Sequence, residues 1–232
     1  MADPIEEYNL SILKLWEQNL WESLGGDIQR LCPMFIPYDS CKNPIIVLGI
    51  NPSHSERDFK KEKQSQKEIL EWKIDEDLSS KIEAVKKIQR DAHSEINYFK
   101  NIKKFFKQEV EIAEENLFFL DMFPLRHTNQ NEVKSFLNKN VEFKNECIKY
   151  FSNFLQKIKP RALVVLNSEA SKYINDEFKD RLQFKDGLIS QAELSFDELK
   201  VPIIFSGMIT LGLDKYSRER LAIQIKSSFN KI

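Results

Sequence analysis

Four short apolar runs separated by helical patterns predict an α/β chain: a central four-stranded parallel sheet in a three-layer α/β/α arrangement. The runs fall at 45–50, 117–123, 162–166 and 202–205. Each is strand-sized, rich in Ile, Val and Phe, and lacks strict alternation, the pattern of strands covered on both faces. Strands that alternate with helical stretches imply right-handed parallel connections with helices on both sides of the sheet.

The elements follow in order. Ile12, Leu13, Trp16, Leu20 and Leu24 recur at helical steps, with Gly25-Gly26 as a C-terminal stop, so 1–43 reads as an N-terminal helical segment before the first strand. Between the first and second strands Ile82, Val85, Ile88, Ala92, Ile96 and Phe99 form one helical stripe. It lies in a charged helical insertion, 55–112, whose run Lys60-Lys61-Glu62-Lys63 marks a solvated face or a lid. Cys147, Ile148, Phe151, Leu155 and Ile158 give the helix before the third strand, ending at Pro160. Leu221, Ile225 and Phe229 mark a last helix, for which Ser217 is the expected N-cap.

With 232 residues and 41% hydrophobic content the chain is long enough for a core without disulfides or metal, and a single domain spanning 1–232 is expected. Cys32, Cys41 and Cys147 show no Cys-x-x-Cys spacing and no nearby His pair, so no zinc site or other cofactor is expected. Free thiols, an acidic N-terminus and the lack of a long apolar run point to a cytoplasmic protein without a membrane role. The 35 Lys+Arg against 36 Asp+Glu leave a net charge of -1, so attraction to DNA has to come from a local basic surface.

Ligands of parallel α/β sheets bind beyond the carboxyl ends of the strands, and polar residues cluster there. The first run exits through Gly49-Ile50-Asn51-Pro52-Ser53-His54. The second carries Asp121 and exits through Phe123-Pro124-Leu125-Arg126-His127. The third ends at Asn167-Ser168-Glu169-Ala170, the fourth at Ser206-Gly207-Met208.

This set resembles the uracil-DNA glycosylase superfamily. Gly49-Ile50-Asn51-Pro52-Ser53 is similar to its first motif, in which an Asn or Asp positions the attacking water. The second strand aligns with the one that carries a base-reading Asn, and 160–170 is similar to the third strand and the start of the next helix. The resemblance implies a DNA glycosylase that flips a damaged or modified base into a pocket and hydrolyses its N-glycosidic bond. Asn51 is then the water-positioning residue. Gly49, Ile50, Pro52, Ser53, Asn167, Gly207 and Met208 line the substrate site, and Phe59 or Phe123 stacks the base. Gly49 has no side chain and Pro52 fixes the turn, which allows close approach of the substrate. The alternative is a plain strand-to-helix turn, and for the Phe residues, core packing.

Two positions depart from the family pattern. Asp121 stands where an Asn amide would read uracil; an ionised carboxylate only accepts hydrogen bonds and suits an exocyclic amino group better. Its alternative role is an acid paired with Arg126 or with a helix terminus. Ser206-Gly207-Met208 replaces the usual His-Pro-Ser, so His54 or His127 would have to stabilise the departing base. Downstream, Leu211 and Leu213 are wedge candidates, with Lys215, Arg218 and Arg220 as phosphate contacts, or else solvated cations of a helix start. Two rival functions remain open: an inactive module that binds a nucleotide, nucleic acid or protein, and a hydrolase of free nucleosides or nucleotides.

Overall fold

The computed structural model describes residues 3–17, 32–38, 42–50, 69–70, 77–127, 129–185, 188–207 and 213–229. Within them the chain is α/β. The elements are α1 (Pro4–Glu17), β1 (Ile45–Gly49), α2 (Ile82–Glu95), α3 (Asn97–Phe105), β2 (Leu117–Asp121), α4 (Gln130–Lys139), α5 (Val141–Ile158), β3 (Ala162–Val165), α6 (Ser168–Glu177), β4 (Leu182–Lys185), β5 (Leu188–Phe196), β6 (Leu199–Phe205) and α7 (Lys215–Phe229). Packing divides the chain into two compact units. One is formed by Met1–Asp39, Asn51–Ala92 and Asp121–Phe154, the other by Ser40–Ile50, His93–Leu120 and Leu155–Ile232.

The sheet has six strands in the order β2-β1-β3-β6-β5-β4 and is mixed, which corrects the expected four parallel strands. β3 pairs in parallel with β1 and with β6, whereas β5 runs antiparallel to both β6 and β4. Three of the four expected strands share one property: Ile45–Leu48, Leu117–Leu120 and Ala162–Val165 are all buried, so both faces are covered, whereas in β6 Pro202 and Phe205 keep partial exposure. β5 differs. Ala192, Leu194 and Phe196 are buried while Glu193 and Ser195 keep partial exposure. That period-2 pattern belongs to antiparallel strands, and a search for continuous apolar runs passes over it. Asp197, with φ of 47°, supplies the left-handed backbone at the turn between β5 and β6.

In the same unit α7 packs on β3 and β6, and α6 on β3. α7 is set by Leu221, Ala222 and Ile225, all buried. It is tied to the π-helical turn Phe106–Val110 that follows α3: Arg218 donates to Glu109 Oε1 through Nε at 3.1 Å and through Nη2, and its guanidinium lies 5.6 Å from the Phe105 ring. The N-cap of α7 is Asp214 rather than Ser217. Its carboxylate accepts from the Ser217 amide at 3.0 Å and from the Ser217 hydroxyl at 2.7 Å, which holds the carboxyl below its usual range. The single stripe expected through Ile96 and Phe99 is two helices, because Ile96 adopts an extended φ/ψ of -75°/128° and breaks the ladder.

The other unit packs α1 and α4 against α5. The Tyr8 and Phe154 rings are 5.0 Å apart, those of Trp16 and Phe143 5.8 Å, and those of Phe136 and Phe143 5.4 Å. Through this unit runs 32–38, a mostly buried strap with no regular structure. A buried backbone needs partners for every N–H and C=O, and here side chains provide them. The Asn9 amide spans Ile36, accepting from its N–H at 2.7 Å and donating to its carbonyl at 3.0 Å. Gln89 does the same for Phe35. The Cys32 and Met34 amides donate to the carbonyls of Leu70 and Pro124, Arg126 Nε donates to the Cys32 carbonyl at 3.0 Å, and Arg90 donates to that of Pro37 at 2.9 Å. Pro33 and Pro37 have no N–H to satisfy.

Asn9 is 4% exposed, so truncation to Ala leaves two buried groups of Ile36 unpaired. Each such group costs about 1–3 kcal/mol. Asn9→Ala and Gln89→Ala should each lower the urea midpoint with little change in slope, and Asn9→Asp, which loses the donor, should not rescue it. An unchanged midpoint in Asn9→Ala would contradict this account of the strap.

Candidate functional site

β1, β3 and β6 are parallel, so Gly49, Val165 and Phe205 end on one edge of the sheet. Two hydrogen bonds carry the pairing past the strand ends. Leu166 N–H donates to the Leu48 carbonyl at 3.3 Å, and Ser206 N–H to the Val165 carbonyl at 2.9 Å. The strand that follows β1 in sequence, β2, lies on one side of it and β3 on the other. This reversal makes the crevice beyond β1 and β3 the topological switch point, where open α/β sheets take ligands.

Of the expected site, this edge holds Gly49, Ile50, Asn167 and Gly207. Ile50 is 1% exposed, so its side chain belongs to the core. Asn167 is the N-cap of α6: its side-chain carbonyl accepts from the Glu169 amide at 2.8 Å and the Ala170 amide at 3.1 Å. Gly207 is exposed, and a Cβ added there would meet nothing within 4 Å, so a ligand can reach its backbone. Asn51, Pro52, Ser53, His54, Phe59, Met208 and Leu211 lie outside the described residues.

Asp121, Phe123, Arg126 and His127 belong to the other unit. Burial pushes the Asp121 carboxyl up to about 7, and the Arg126 guanidinium only partly offsets this. The Asp121 charge in turn helps to raise the Tyr8 phenol, whose shift is due first to burial and then to Cys147. Asp121 is therefore electrostatically coupled to the interior of its unit, through Tyr8 on α1 and through the arginine that sequence reasoning offered as its ion-pair partner. Tyr8 carries no local signal for this, since it lies far upstream in sequence. Phe123 is 0% exposed, a core ring with no free face. At His127, Nδ1 accepts from the Asn129 amide at 3.1 Å, and Nε2 is 3.3 Å from a Glu132 carboxylate oxygen. Asn129 is itself the N-cap of α4, so the histidine is built into a helix start.

The proposed phosphate contacts have partners within the chain. Arg218 is held by Glu109, Lys215 Nζ is 3.8 Å from Glu219, and Arg220 donates to the Ser217 hydroxyl at 3.1 Å; Leu213 is half-buried. Cys32 and Cys147 are buried, and among the described residues no group of His, Cys, Asp and Glu is arranged to hold a metal ion. No described helix is long and apolar enough to cross a membrane. No protein-family model matches the chain, and no curated protein does.

The Asp121 carboxyl gives a pH prediction. An acid whose pKa is raised on folding binds more protons in the native state between its unfolded value, ~4, and about 7, so its contribution to stability falls as pH rises through that window and is flat above it. Measured by urea denaturation from pH 4.5 to 8.5, the wild-type chain should lose stability relative to Asp121→Asn up to about pH 7–7.5. A difference independent of pH would mean that the carboxyl is solvated.

Proposed function

We propose that the chain is an N-glycosyl hydrolase, similar to the uracil-DNA glycosylase superfamily, that removes a damaged or modified base with a water held by Asn51. The observation that carries this reading is Gly49 at the carboxyl end of β1, beside β3. Gly49 ends β1 where a parallel α/β fold takes its ligand, and Ile50 and Asn51 follow it in sequence. In this reading the sheet is the middle of three α/β/α layers and the protein is cytoplasmic.

Cleavage of the bond leaves positive charge on the sugar and negative charge on the base. Asn51 orients water on the opposite face but is no base near neutral pH, so rate comes from positioning rather than proton transfer. With Ser206-Gly207-Met208 in place of His-Pro-Ser, and the His127 ring engaged by Asn129 and Glu132, stabilisation of the departing base falls to His54 in this reading.

A second reading, a hydrolase of free nucleosides or nucleotides, is favoured by one observation. Arg218, Lys215 and Arg220 are engaged within the chain, and a small substrate needs no phosphate-tracking surface. Salt separates the two, since duplex binding weakens steeply as salt rises.

The test is incubation with single- and double-stranded oligonucleotides carrying uracil, hypoxanthine or xanthine, and with the matching nucleosides. Alkaline cleavage detects abasic sites and chromatography detects free base. The expected result is release of at least one base, reduced by roughly 100-fold or more in Asn51→Ala. No release from any substrate, or release indifferent to Asn51→Ala, would overturn the reading.

A further inference from the structure

Three amide side chains are buried among the described residues: Asn9, Gln89 and Gln191, the last 5% exposed. Asn9 and Gln89 use both ends of the amide, oxygen and amino group, on the strap 32–38. Gln191, on β5, uses only one. Its Oε1 accepts from the Lys185 ammonium at 3.1 Å, and its Nε2 has no acceptor among the described residues. An ammonium has only donors to offer, so the amide is fixed with its oxygen towards the lysine and both N–H groups turned elsewhere. An amide at this depth normally finds partners for both ends.

Lys185 is set apart in a similar way. Lys86, Lys103 and Lys226, also partly buried, each reach a carboxylate, those of Glu83, Glu114 and Glu111. Lys185 is partly buried and rests on a neutral amide, with no carboxylate partner among the described residues. The regular register of β4 with β5 would set Lys185 opposite Gln191; the shift after Phe184 pairs its backbone with Leu188 instead, and the side chain reaches back to the amide. A third donor stands on the same face. Gln191 pairs with Ile204 of β6, and Ser206, two residues on, keeps the strand path through its amide bond to the Val165 carbonyl, so its side chain falls on the Gln191 side of the sheet. The Ser206 hydroxyl is partly exposed and has no hydrogen bond among the described residues. Glu193, the carboxylate on this face of β5, is taken by Lys200 at 3.0 Å.

We infer that Lys185, Gln191 and Ser206 form a binding site for the terminal phosphate of a small phosphomonoester. The ammonium supplies the charge, and the amide N–H groups and the hydroxyl supply directed donors to the other phosphate oxygens. All three residues belong to one unit. A single cation does not suit a nucleic-acid backbone, whose phosphates come in series and are held by several, and Arg218, Lys215 and Arg220 are already engaged within the chain. The site lies two strands from β3 and does not involve Asn51, so it stands apart from the hydrolase reading.

The experiment is calorimetric titration of the full chain, at about 0.15 M salt, with inorganic phosphate, ribose 5-phosphate, acetate and a thymidine hexanucleotide that lacks a terminal phosphate. The wild-type chain should bind the first two and not the last two. Lys185→Gln removes the charge, and Gln191→Glu turns the donor pair into an acceptor that pairs off the lysine; each should weaken binding of both phosphates by roughly 10-fold or more. Circular dichroism checks that the variants fold. Lys185 is partly exposed, so Lys185→Gln carries the test even where Gln191→Glu is destabilised. No binding of either phosphate to the wild-type chain, or binding unchanged in Lys185→Gln, overturns the site. Acetate or the hexanucleotide binding as tightly as ribose 5-phosphate overturns its assignment to a phosphomonoester. Failure of the site leaves base release, which depends on Asn51, untouched.

Discussion

A backbone amide or carbonyl taken out of water must find a partner, and each unit of this chain is organised around that constraint. Where the sequence is apolar and β-branched, strands satisfy one another: β1, β3 and β6 pair along their length, and Leu166 and Ser206 continue the pairing beyond it. Where no strand forms, at 32–38, two amide side chains replace one. Asn9 and Gln89 each present a donor and an acceptor in the spacing of a neighbouring strand. Without them the two prolines and the buried Phe35 and Ile36 would occupy a segment whose polar groups have no water and no ladder.

The same constraint shapes the candidate site. Strand ends are where backbone groups run out of partners, so they are capped by side chains or left for a ligand. On the described edge Asn167 takes the first course, satisfying the start of α6. Gly207 has open space around it and is available for the second. Charged side chains are spent differently. Arg218 holds α7 to the turn after α3, and in the other unit Arg126 serves both the Cys32 carbonyl and the field at Asp121. Most charges that a sequence offers as binding groups already have work inside the fold, which is why charge spacing alone points weakly to a partner.

What was legible in the sequence follows from the same physics. β1, β2 and β3 could be read because burial on both faces demands unbroken apolar residues, β6 because 202–205 is apolar although its ends are partly exposed, and α5 because its stripe persists to Ile158. β4 could not be found by that rule because none of its residues is buried, and β5 because its burial alternates; Leu194 and Phe196 around Ser195 held the signal in another period. The helix break at Ile96 was hidden because an apolar residue continues the stripe whether or not its backbone is helical. At α7 two polar residues, Asp214 and Ser217, both suit a cap, and only geometry shows which accepts the amide. For the site, Gly49 and Asn167 were legible as strand ends. The surroundings of Asp121 were not, because Tyr8 and Cys147 reach it from distant parts of the chain.

The register shift between Phe184 and Lys185 has a consequence for the chain in concentrated solution. β4 ends the sheet, and an outer strand is the natural template for another molecule's strand. Here that template is short: three residues, Leu182, Gln183 and Phe184, keep regular register with β5 before the pairing jumps to Lys185 against Leu188. A strand added from outside would lose its ladder within one turn of the pleat and meet a lysine beyond it. The sheet therefore carries its own terminator, and polymerisation through this border is disfavoured even though an aromatic ring stands exposed beside it.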